Sequence, residues 1–284
     1  MKPMMIWMMI CVMAVAITLF VGVGAARAEQ LHSNPTAEDP WCLSLSGDFG
    51  TFDGDTEMSP DDSGNNFRVG LAHSLSAKMD LFADYRRGTF SRERSGNTSF
   101  ESDDDTLWLG VRFHTERRNP TWYELGLAGQ YKVSSGDAGS GYELETSRAA
   151  VEISGTLFHG FRSSLLPYIR LGGYALVGSE NIEETYGGQT YDSSESGLGE
   201  ADIEARLGLV RFGDNFNFFG GVEYFTAPWS DLSTTYLTGG AEIAGETWYL
   251  LIKGKIASQE QDQDDGYTIE QSGSGLMVFY AIRF

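Results

Sequence analysis

The residues best placed to do chemistry are charged, and they recur on alternate positions. Nine are basic: Arg68, Arg86, Arg112, Lys132, Arg148, Arg170, Arg206, Lys253 and Lys255. Eight are acidic: Asp80, Asp84, Glu124, Glu152, Asp202, Glu204, Glu223 and Glu242. Many sit between apolar neighbours, as Arg68 does between Phe67 and Val69, Arg112 between Val111 and Phe113, and Glu124 between Tyr123 and Leu125. A period of two puts charges on one face of an extended chain and apolar groups on the other. Nearly balanced charges on one face can line a narrow aqueous passage with a transverse field. They can equally pair across a closed interior as a plug. Composition leaves both open.

Other candidate groups are sparser. Of the histidines outside the N-terminal region, His73, His114 and His159 stand near the ends of extended segments, and His32 precedes them. Parity separates them, because His114 shares the face of Arg112 whereas His73 and His159 continue the apolar series of Leu71 and Leu157. Groups facing opposite ways cannot share one metal ion. The runs Asp103-Asp104-Asp105 and Asp262-Gln263-Asp264-Asp265 offer oxygen ligands suited to loosely bound Ca²⁺ or Mg²⁺. Neither completes a calcium-loop motif, and solvated acidic loops are the preferred reading. No cofactor is expected.

These groups are positioned by a repeated element. From Trp41 onward, runs of about ten alternating residues, the length of a tilted bilayer-crossing strand, are followed by a turn. Strands are expected near 41–52, 66–75, 78–90, 106–115, 121–134, 146–159, 167–178, 200–212, 217–225, 236–244, 247–258 and 274–284. Their connections alternate long and short throughout. Long polar links lie at 53–65, 91–105, 135–145, 179–199, 226–235 and 259–273. They carry most of the 40 acidic residues, with Arg92 and Arg94 as their basic ones. This rhythm predicts an all-β fold: an up-and-down antiparallel transmembrane β-barrel of about 12 strands, with both termini on the short-turn rim. The charged face then lines the lumen, since Arg or Lys facing lipid at mid-depth costs roughly 2–4 kcal/mol. Alternation by itself would also fit a water-soluble sandwich with its apolar side facing inward, and the strict long-short rhythm of the links is what favours the barrel. Trp108, Trp122, Trp229, Trp248, Tyr123, Tyr224 and Tyr249 stand near strand ends and are expected in interfacial girdles.

The ends of the chain fit this scheme. Met1-Lys2-Pro3, an apolar run from Met4 to Val23 and Ala26-Arg27-Ala28 read as a signal peptide, residues 1–28, followed by a short periplasmic segment, 29–40, and the barrel, 41–284. Cys11 falls within the signal, so Cys42 alone is left and no internal disulfide is expected. A net charge of -20 argues against nucleic acid as a partner. The final strand places Leu276, Val278, Tyr280, Ile282 and Phe284 on one face, with Phe284 last. This resembles the C-terminal strand signature of bacterial outer-membrane β-barrel proteins, the porin-like class, without marking a subfamily. The resemblance implies that these five residues form an assembly signal read by the barrel-assembly machinery. It also implies outer-membrane lipid and lipopolysaccharide as surroundings.

The functional expectation is a narrow channel for small solutes or ions in the outer membrane of a Gram-negative cell. The alternative is a structural or surface-interaction barrel with a closed, salt-bridged lumen and acidic external loops. A lipid or peptide hydrolase ranks third. Its histidine would have to lie near the outer leaflet, and the strand histidines stand at the opposite rim. Carboxylates such as Asp84, Glu200 and Asp202 show no pairing geometry in sequence alone.

Overall fold

A strand that is apolar on one face and charged on the other satisfies both faces when its sheet curls into a closed wall between lipid and an aqueous interior. The computed structural model shows this arrangement and describes residues 36, 39–54, 61–94, 98–116, 119–138, 141–212, 215–228, 232–262 and 268–284. The expected signal peptide and nearly all of the segment 29–40 lie outside the described residues, as does His32.

Twelve strands follow one another: β1 (Trp41–Gly54), β2 (Asp61–Ser76), β3 (Met79–Arg94), β4 (Thr98–His114), β5 (Thr121–Ala138), β6 (Tyr142–Gly160), β7 (Tyr168–Tyr186), β8 (Gln189–Phe212), β9 (Phe216–Ala227), β10 (Leu232–Ala244), β11 (Trp248–Asp262) and β12 (Thr268–Arg283). Each pairs antiparallel with its sequence neighbours, and β12 returns to β1 to close the barrel. At the seam, Trp41 N donates to the Phe284 carbonyl at 3.1 Å and Phe284 N to the Trp41 carbonyl at 3.0 Å. The last residue therefore helps to complete the ladder.

Partner-to-partner steps around the wall start at residue 40, where Ser74 N donates to the Pro40 carbonyl, and return to β1 at Gly54 opposite Gln271. A climb of that size over twelve strands corresponds to a tilt of about 40° and a backbone cylinder roughly 24 Å across. Long side chains from opposite walls of such a cylinder meet near its axis.

The outer face is apolar. Leu109, Leu125, Ile153, Val222 and Ile252 are all exposed, and each alternates with an inward residue. Leu109 is 58% exposed although it lies in the middle of the apolar band, which places it against lipid. Leu109→Arg is expected to cost about 2–4 kcal/mol, measured by urea titration of the folded barrel in phospholipid vesicles. A cost near zero would mean that this face meets water.

The strands run beyond the ends expected from sequence. β7 and β8 continue past 178 and begin before 200, and they meet in a two-residue turn at Gly187 (φ 59°) and Gly188 (φ 80°). This left-handed pair suits a hairpin whose twist matches its strands. The β3–β4 and β5–β6 links are likewise strand extensions that leave three residues between the strands in each case. Above the apolar band both faces meet water, so alternation disappears while the backbone ladder persists. The expected long loops are mainly hairpin walls.

Candidate functional site in the barrel lumen

Parity carries the lumen's construction. The even residues of β1 to β7 point inward, as do the odd residues of β9, β11 and β12. In β8, Leu176 pairs with Glu200 but Val177 with Leu198, so Gly199 is an extra residue and the facing pattern reverses beyond it.

At the short-turn end the inward side chains form an aromatic floor. Trp122, Phe158 and Tyr168 stack in sequence with centroids 5.4 and 5.3 Å apart. Phe219, Tyr249 and Leu251 join them, with Met277 and Phe279 packed alongside. From the other wall, Cys42, Ala72, Phe82, Trp108, Ala128 and Ala281 form a second cluster that also packs on Phe279. Trp122 is 1% exposed and Phe158 2%, so these rings are covered by their neighbours rather than by lumen water. Glycine makes room for the floor: a Cβ on Gly240 would collide with the Ile252 carbonyl and lie 2.9 Å from Phe219 Cζ.

This arrangement corrects the girdle expectation. Trp108, Trp122 and Tyr249 face the lumen and are buried, because they share the parity of Arg112, Glu124 and Lys253. Nearness to a strand end was the weaker signal and parity the stronger. Tyr123, Tyr224 and Trp248 face outward, and Trp229 lies outside the described residues.

Above the floor lies an ionic belt. Glu204 accepts from Lys253 Nζ at 2.8 Å, from Arg206 at 2.9 Å and from Arg170. Lys253 also donates to Glu223 at 2.5 Å, and Arg206 to Glu242 at 3.0 Å. Lys255 bridges Asp48 at 3.3 Å and Glu223 at 3.6 Å. The Lys253–Glu204 bond joins β11 to β8, so the belt reaches across the lumen rather than along one hairpin. On the other wall Arg68 pairs with Asp84 at 2.6 Å, and Arg112 lies 3.9 Å from both Asp84 and Glu124. Belt and floor are coupled, because the Arg206 guanidinium sits 4.5 Å above Phe219 and that of Arg112 4.2 Å above Phe82.

Higher still, Arg86 pairs with Asp104, and Arg148 pairs with Glu180 and Glu200. Lys132, Glu152 and Asp202 stand on the inward parity and are partly accessible. Asp48, Asp62, Arg92, Asp104, Glu180 and Glu200 were not on the sequence-derived lining. Extending the even parity of Arg68 and Arg86 into the polar segments would have found Asp62 and Arg92.

The histidines remain apart. His114 Nε2 lies 3.3 Å from Asp80 Oδ2 in the buried floor. His73 stacks on Trp41 at 4.2 Å, and His159 Nδ1 lies 2.6 Å from Thr121 Oγ1. Asp103 and Asp105 face outward while Asp104 faces Arg86, so the three carboxylates of this run do not point to one place. Residues 263–267 lie outside the described residues. Among the described residues, no group of three or more His, Cys, Asp and Glu is arranged to hold a metal ion.

Between belt and hairpins lies a cavity of about 370 Å³, lined by Asp48, Asp62, Asn66, Arg92, Tyr236, Lys255 and Gln259, with Phe52 and Phe90. Arg92 grips Asp62 through two bonds of 2.8 Å. Gln271 donates to Asp62 at 3.2 Å and accepts from Gln259 at 2.6 Å, which carries the network from β2 to β11. At the hairpin rim, burial and the hydrogen bond to Glu184 raise the Tyr142 phenol above its ordinary pKa and keep it neutral.

This closed barrel fold recurs in solved structures. The β domain of the Bordetella autotransporter BrkA superposes with a TM-score of 0.59 at 11% identity, covering 87% of this chain and 100% of that one. The chain has the fold of the outer-membrane β-barrels. The translocator domain of the autotransporter NalP from Neisseria meningitidis gives a TM-score of 0.57 at 11% identity, covering 95% of this barrel chain and 92% of its own. An outer-membrane channel from Pseudomonas putida F1 gives 0.51 at 12% identity, covering 93% and 100%. No protein-family model and no curated protein matches the sequence. The outer-membrane barrel is therefore recognised by its geometry.

Proposed function

We propose that the protein is an outer-membrane barrel that admits small polar solutes to an outward-open vestibule and passes them through a narrow lumen only when the plug beneath yields. The observation that carries this reading is the contrast along one axis. A polar cavity of about 370 Å³ stands above, and a floor with Trp122 at 1% and Phe158 at 2% exposure stands below. The barrel has a place for a solute to enter and a barrier built from movable side chains. An ionic belt suits that task, because its pairs can be exchanged for pairs with a passing solute.

The same reading assigns residues 1–28 to export and the strand ending at Phe284 to recognition by the barrel-assembly machinery. It sets the acidic hairpins among lipopolysaccharide head groups. It involves no catalytic step.

In planar bilayers the full-length mature protein is expected to be silent for most of the record, with brief small openings. Liposomes carrying it are expected to take up small neutral solutes slowly and in proportion to protein. A steady, high-conductance pore would refute the gate. Complete absence of openings and uptake would favour the second reading, a purely structural or surface-interaction barrel, which the buried floor also supports.

A further inference from the structure

The inner wall above the vestibule carries aromatic rings in a row that neither the floor nor the ionic belt uses. Phe90 on β3, Phe100 on β4 and Tyr142 on β6 face the lumen side of the hairpins, with successive centroids 6.4 and 6.3 Å apart. Each is partly exposed, and Phe90 also lines the vestibule. Phe100 packs over Gly136 of β5, where a Cβ would stand 2.5 Å from its Cζ, and its ring is inclined by 58° to both neighbours in the row. The row leads from the rim down to the Asp62–Arg92 fork.

We propose that this row and the vestibule below it form a binding track for a neutral oligosaccharide, an assignment that rests on the solute-admitting reading above and names its substrate class. A pyranose ring has a face of C–H groups that packs on an aromatic ring and an edge of hydroxyls that needs hydrogen-bonding partners. The track supplies both in the same order: partly exposed aromatic rings along the wall, and beside them a carboxylate and guanidinium held in a fixed fork, with Arg92 5.6 Å from the Phe90 ring centroid and Asn66 and Gln259 close by. Asp48 and Asp62 stand against Arg92 and Lys255 in the vestibule lining, so the lining itself does not call for an ionised ligand, and the acidic hairpins above disfavour an anion. A purely apolar solute would strip water from those groups without replacing its hydrogen bonds. Successive rings at similar spacing suit a chain of linked units better than a single small molecule.

The test is calorimetric titration of the folded, detergent-solubilised mature protein with cellohexaose and, separately, maltohexaose. Saturable binding of at least one is expected. Phe100→Ala and Phe90→Ala should each weaken it about three- to tenfold, the range for losing one aromatic stack, whereas Phe100→Trp should retain it. Folding of each variant is checked by its heat-modifiable mobility on gels. Failure of folded wild type to bind either sugar overturns the assignment, as does unchanged affinity in Phe100→Ala. Tighter binding of hexagalacturonate than of both neutral sugars also overturns it. The gate is judged separately by the bilayer records: a protein that gates as expected but ignores both sugars loses only the substrate assignment. A standing pore that binds them loses only the gate.

Discussion

Trp122→Ala combined with Phe158→Ala is expected to turn a mostly silent barrel into one with steady conductance, at least tenfold above the wild-type time average. The two rings stack at 5.4 Å and are among the least exposed aromatic side chains of the floor. Each aromatic side chain buries about 150–250 Å². Truncating two neighbours therefore leaves a gap wide enough for water beside Tyr168. A cavity in a soluble core stays empty, but this one adjoins the short-turn mouth and a charged belt, so water fills it and ions follow. Planar-bilayer recording provides the measurement. Phe113→Ala supplies the control, because Phe113 faces outward and is 50% exposed, so its loss should leave conductance unchanged. A folded double variant as silent as wild type would show that the barrier lies elsewhere, in the belt above.

Glu204→Ala is expected to produce the largest loss of stability among single changes in the belt. This carboxylate receives Lys253, Arg206 and Arg170, and the Lys253 and Arg206 side chains are only 5% and 6% exposed. Removing it leaves inaccessible cations without their shared partner, for which about 3–5 kcal/mol is typical. Arg206 keeps Glu242 and Lys253 keeps Glu223, which places the expected value at the lower end. Reversible urea unfolding in vesicles measures it, and Glu204→Gln with Lys253→Gln should recover part of the loss by removing one stranded charge. A cost below about 1 kcal/mol would mark the belt as solvated, since exposed ion pairs contribute no more than that. The lumen would then be wetter than its burial indicates.

Much of the site was legible before folding was considered. Arg68, Asp84, Glu204 and Lys253 belong to one face because extended chains alternate with period two, and the cost of charge in lipid tells which face that is. The same rule placed Leu276, Val278, Tyr280 and Ile282 outward on β12, with Phe284 exposed just beyond it. Trp122 and Tyr249 were misread because closeness to a strand end was weighed above parity. Asp62, Arg92 and Glu180 were passed over because they lie where apolar alternation has ceased, although the hydrogen-bonded ladder still dictates where they point.

By itself the sequence determined a wall: strands with one greasy and one ionic face, joined by alternately short and long links and closed because such a sheet leaves no edge unsatisfied in lipid. Those are local properties of neighbouring residues, so a linear reading captures them. Only the tertiary structure decided what fills the wall. Lys253 reaching Glu204, Phe279 linking two apolar clusters and Gln271 reaching Asp62 join strands distant in sequence, and strand tilt sets which side chains share a level. Whether the lumen stands open or closed depends on that levelling, which no run of adjacent residues encodes.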